Sequence, residues 1–111
     1  MKITRNGVHK LVQEEMRMAN EEFPMFHSDH EGLCVIEEEI FELSEDYKAL
    51  MSAVRDIKMS VFKDQTDTNK QICASHITLI AVELACEAIQ VAAMGNKFNV
   101  SIGERKENIN G

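Results

Sequence analysis

A single proline, Pro24, interrupts the 111-residue chain, and none follows it. Proline removes a backbone donor and clashes with the preceding helical turn, so a long proline-free stretch lets helices run wherever apolar residues recur at spacings of three and four. Upstream of Pro24, Val8, Leu11, Val12, Met16, Ala19 and Phe23 form one such stripe, with Lys10, Glu14, Arg17 and Glu21 opposite, which predicts a first helix over 4–22. Downstream, Ser28 or Asp29 is a natural N-cap. Ile36, Ile40, Leu43, Tyr47, Leu50, Val54, Ile57 and Val61 then mark a second helix over 29–62. At ~1.5 Å per residue it spans roughly 45 to 50 Å. The polar run Lys63–Lys70 reads as a loop with a cap at Thr66, Asp67 or Thr68, followed by a third helix over 69–95 that Gly95 closes as a left-handed C-cap.

The expected fold class is therefore all-α, a bundle of about three main helices in one domain over 1–96. A polar tail, 97–111, is expected to be partly disordered or docked on a neighbour. The second helix carries more apolar stripe than two short partners can cover, which predicts completion of the bundle by a homo-oligomer.

With 12 Lys+Arg against 19 Asp+Glu, the formal charge is −7. That sign repels nucleic-acid backbones and anionic lipid, so neither is an expected partner. Carboxylates can still serve a polyanionic substrate by first binding divalent cations, which invert the local charge. Cys34, Cys73 and Cys86 show no metal-ligand or CxxC spacing and read as buried small hydrophobes in a reducing compartment. Met1–Asn20 has no apolar run of signal-peptide length and no segment reads as a membrane span, so the expected location is cytoplasmic.

The third helix concentrates the chemistry. From Ile77 to Met94 it is apolar nearly everywhere, which predicts burial all round, and Thr78, Glu83, Glu87 and Gln90 alone interrupt it. Glu83, Glu87 and Gln90 fall within about 60° of one another in projection, with His76 on the same line. Acids four apart repel, and no Lys or Arg occurs between Lys70 and Lys97. A bound metal, a cation from another helix or solvent exposure would each relieve that repulsion.

On the second helix, Glu39 lies about 60° from the apolar stripe, with Glu42 and Asp46 along the same flank, while Glu38 and Glu45 point further out. Glu39 and Glu42 facing acids of the third helix would make an all-oxygen site suited to Mg²⁺, with Mn²⁺ as a substitute. A di-iron bundle would need Glu-x-x-His motifs, and the chain has none. His30 and His76 read as capping or surface histidines.

Glu38-Glu39-Ile40-Phe41-Glu42 followed by Glu87-Ala88-Ile89-Gln90 resembles the Glu-Glu-x-x-Glu and Glu-x-x-Asp motifs of MazG-like all-α nucleoside triphosphate pyrophosphohydrolases. His30-Glu31-Gly32 and the run from Glu87 to Met94 look similar to a phage and bacterial branch of that group, so the likeness covers roughly Phe26 to Met94. The resemblance implies Mg²⁺-dependent cleavage of a nucleoside triphosphate to the monophosphate and pyrophosphate. It assigns Glu39, Glu42 and Glu87 as metal ligands, with Gln90 at the fourth position where the family has Asp. That exchange turns one anionic ligand into a neutral carbonyl, lowering metal affinity or shifting load onto Glu83, Glu38 or Asp46.

In this reading Glu38 is the candidate for orienting the attacking water, and Lys48, Arg55, Lys58, Lys70 and Lys97 are candidates for phosphate. Phe23, Phe26 or Tyr47 are candidates for stacking on the base. The alternatives are a degenerate inactive relative, a helical oligomerisation or adaptor protein whose long second helix is the interaction surface, and an acidic mimic occupying a partner's nucleic-acid site.

Overall fold

The computed structural model describes residues 2–22 and 25–110 and holds, among them, three helices and no strand: α1 Lys2–Glu22, α2 Asp29–Phe62 and α3 Asp67–Asn110. The all-α expectation stands, and α2 occupies the expected span. Phe23 and Pro24, where the first break was expected, lie outside the described residues.

The helix ends follow from local hydrogen bonding. Ser28 caps α2, its Oγ accepting from the Glu31 N–H at 3.1 Å, while the Glu31 carboxylate accepts from the His27 N–H at 3.1 Å. Thr66 caps α3 in the same way, its Oγ1 accepting from the Asn69 N–H at 3.2 Å. Between α2 and α3 the Gln65 N–H reaches the Ser60 carbonyl at 2.9 Å and the Asp64 N–H reaches the Val61 carbonyl at 3.1 Å. This is a Schellman closure with Asp64 at the left-handed position, φ 47°.

The expected helix end at Gly95 is corrected. No glycine among the described residues has positive φ, and α3 continues through Gly95 to Asn110. The region expected to be an irregular tail is helical because Lys97, Ser101 and Arg105, at spacings of four, turn one face toward residues 25–32. There Ser101 Oγ accepts from the Phe26 N–H at 3.1 Å and donates to the Lys97 carbonyl at 2.8 Å, and Arg105 pairs with Asp29.

The chain forms two compact units, Met1–Ile40 with Ala88–Gly111, and Phe41–Glu87. In the first, Val12, Phe26, Ala93, Lys97 and Ser101 are buried, and the Phe26 and Phe98 rings meet at 6.4 Å. Gly32 is needed here. A Cβ at that position would sit 2.6 Å from the Phe98 ring and 3.0 Å from that of Phe26.

The second unit is a helical hairpin. Leu43, Asp46, Leu50, Ala53, Ile57 and Ser60 on α2, and Cys73, Ile77, Ile80, Leu84 and Glu87 on α3, alternate at spacings of three and four and are shielded. This splits the stripe expected on α2. Leu43, Leu50 and Ile57 turn inward, whereas Tyr47, Val54 and Val61, also seven apart, remain exposed.

Three further expectations are corrected. The third helix is not buried all round, since Leu79 is 64% and Val82 55% exposed. Cys34 and Cys86 are exposed and Cys73 is half-buried; all three are unbridged. By length and composition α3 does contain a stretch able to cross a bilayer, because its few charges sit within a long apolar run.

Two substitutions test these local arguments. Gly32→Ala gains helix propensity but forces the Phe26–Phe98 pair apart, so urea denaturation should show a net loss of roughly 1–2 kcal/mol. Asp64→Gly relieves a left-handed φ and should raise stability by up to about 1 kcal/mol; a loss would mean that the exposed Asp64–Lys70 ion pair outweighs the backbone term.

Candidate functional site

α2 and α3 each carry an acid at the end of the hairpin where residues 42 and 87 meet. Glu42 and Glu87 bring carboxylate oxygens within 4.8 Å of one another. Glu39, one turn before Glu42 on the same helix, brings an oxygen within the same distance of Glu42, as the i, i+3 relation allows. Glu39 and Glu87 are half-buried, each with one oxygen shielded from solvent, whereas Glu42 is exposed. Carboxylates this close repel unless a cation or a proton lies between them. Three of the expected ligands thus lie on the faces where projection put them.

The other expected residues divide. Gln90 is half-buried and lines a cavity in the first unit. Glu38 and Glu83 are exposed and lie outside the carboxylate group, and Asp46 is half-buried within the hairpin. His30 and His76 are exposed.

The cavity measures about 460 Å³, within the range of small-molecule sites. Glu39 and Gln90 line it together with Glu15, Glu22 and Glu31, an apolar wall of Ala19, Phe26, Val35 and Met94, and Lys97. Four carboxylates against one ammonium make it acidic, so it favours cations or a ligand that carries them.

Sequence reasoning placed Lys97 among five cations and could not choose. Lys48 and Lys70 pair with Glu45 and Asp64, Arg55 is exposed, and Lys58 lies over the Phe62 ring at 5.6 Å. Lys97 alone of the five lines the cavity, 4% exposed, with its Nζ 4.8 Å from the centre of the Phe26 ring. The Lys97, Ser101, Arg105 spacing was the available signal, missed because Gly95 reads as a helix end and the residues beyond it as a polar tail. Phe26 is buried beneath that ammonium, Tyr47 is exposed, and Phe23 lies outside the described residues.

Burial lowers the Lys97 pKa below the ordinary lysine value of 10.5, outweighing the Glu31 carboxylate, which raises it. The unfolded chain therefore holds this proton more tightly than the fold does. Stability from this group rises as pH climbs from the lowered value toward 10.5, and the full cost of the buried charge is present below that window. Lys97→Met keeps the apolar stem and removes the charge. Thermal melts should show a higher midpoint at neutral pH and a shallower rise in stability toward pH 10.5 than in the parent; parallel profiles would mean that the ammonium is not penalised.

Compared with known proteins, the chain matches no family model, no curated protein and no solved structure.

Proposed function

We propose that the chain is a Mg²⁺-dependent nucleoside triphosphate pyrophosphohydrolase of the MazG-like kind, with Glu39, Glu42 and Glu87 holding the metal. The observation that carries this reading is the approach of Glu42 to Glu87 from two helices, with Glu39 a turn away. An all-carboxylate donor set fits a hard divalent cation, and Mn²⁺ would substitute. Bound there, the metal would neutralise phosphate charge and lower the pKa of a coordinated water.

The chain's own groups divide the remaining work. Glu39, Glu42 and Glu87 position the cation. Gln90, in the place where the family has Asp, offers a neutral amide from the cavity wall beside Glu39. Lys97 is the cation assigned to the phosphates, which would enter this acidic cavity together with their metal. The apolar wall of Phe26, Val35 and Met94 accommodates the nucleoside. Glu38 is exposed and remains the candidate for orienting water.

Glu87→Gln should lower pyrophosphate release from a triphosphate panel in Mg²⁺ by about a hundredfold or more, on the scale of lost electrostatic stabilisation. Undiminished turnover would remove Glu87 from the mechanism. A non-enzymatic adaptor is the second reading, favoured by the exposed apolar positions of the hairpin. Titrating Mn²⁺ while following thermal unfolding separates the two. A ligand of the folded state raises the midpoint, and no shift at millimolar metal favours the adaptor.

A further inference from the structure

The cavity of the first unit is layered. On α1 its lining is Glu15, Ala19 and Glu22. On α2 the same order of polar, apolar and polar side chains recurs as Glu31, Val35 and Glu39, and on α3 as Gln90, Met94 and Lys97. Spacings of three and four keep each set on one face of its helix. Phe98 meets Gly32 and, further along α3, Arg105 meets Asp29, so the two helices run antiparallel here. Lys97 therefore lies toward Glu31, and Gln90 toward Glu39. The result is an apolar waist of Ala19, Val35 and Met94 between two polar ends, to each of which α1 adds one glutamate whichever way it runs.

We propose that this cavity is a binding site for a linear aliphatic polyamine, with terminal ammonium groups at the two ends and methylenes along the waist. Charge selects a polycation. The four carboxylates exceed the Lys97 ammonium by three charges, so both ends stay acidic. The α1 acids are not taken up elsewhere: Glu14 and Glu21 share Arg17 on the outer face, while Glu15 and Glu22 make no ion pair among the described residues. Length selects an extended chain. The polar layers stand seven or eight residues apart along each helix, about 10 to 12 Å at 1.5 Å per residue. About nine bonds between terminal nitrogens cover that distance at roughly 1.25 Å of reach per bond. The waist selects an alkyl middle, because a metal ion would fill one end and leave Ala19, Val35 and Met94 uncovered. The volume of about 460 Å³ admits such a chain.

The site rests on the cavity and not on the proposed activity, although a polyamine seated there occupies the wall given to the nucleoside and competes with it. Calorimetric titration of the full chain with EDTA present, nucleotide absent and ionic strength held constant bears on this site alone. Spermidine should bind saturably, one molecule per chain. The α,ω-diamine of octane should bind about tenfold or more tighter than that of propane, which carries the same charge but cannot reach both ends. Glu15→Gln should weaken spermidine about fivefold or more, whereas Glu14→Gln, on the outer face of the same helix, should leave it unchanged. If Glu15→Gln does not fold, the comparison of chain lengths on the parent decides. Absence of saturable heat, or equal affinity for the long and the short diamine, overturns the proposal. So does an equal loss in the two variants, because net charge rather than the cavity would then attract the amine.

Discussion

The packing of α2 against α3 along one seam is the constraint on which the rest depends. The seam is narrow: within the hairpin only Ala53 and Ser60 are fully buried, and larger residues such as Leu50, Ile57 and Ile80 are half-covered. Small side chains at the contact let the helix backbones approach closely. That closeness gives Glu42 and Glu87 their register, so the same packing that shields little apolar surface brings two acids within reach of one ion. Like charges brought this close repel each other.

The first unit resolves a different conflict. Closing the last turns of α3 over residues 25–32 buries an ammonium beside aromatic and aliphatic side chains, which disfavours its charge. The arrangement is offset by the Phe26 ring face, by the Ser101 hydroxyl, which accepts from the Phe26 N–H while donating to the Lys97 carbonyl, and by ring packing on Gly32. The Lys97 ammonium is set among the cavity's carboxylates, of which Glu31 favours its charge.

The helical architecture and the faces of its acids were legible in the sequence. Periodicity placed all three helices, and α2 within the span that its caps dictate, because spacing at about 3.6 residues per turn is a local property. It also selected Glu39, Glu42 and Glu87, since a projection needs only the direction of the apolar stripe and tolerates an error in it. The error was real: the stripe merged two rows. Leu43, Leu50 and Ile57 turn inward, while Tyr47, Val54 and Val61 do not. Apolar character does not record which of two adjacent rows meets the partner within the chain.

By itself, then, the sequence determined a helical chain with an acidic cluster and more apolar stripe than three helices can cover. The tertiary structure alone decided that Lys97 lines the cavity, that the residues beyond Gly95 continue α3, and that Leu79 and Val82 are left bare. The reason is the same in each case. A helix presents every face at equal cost until something packs against it, and what packs there comes from distant parts of the chain. Glycine at 95 permits an end but does not impose one. The docking of Ser101 and Phe98 on Phe26 and Gly32 carried the helix onward.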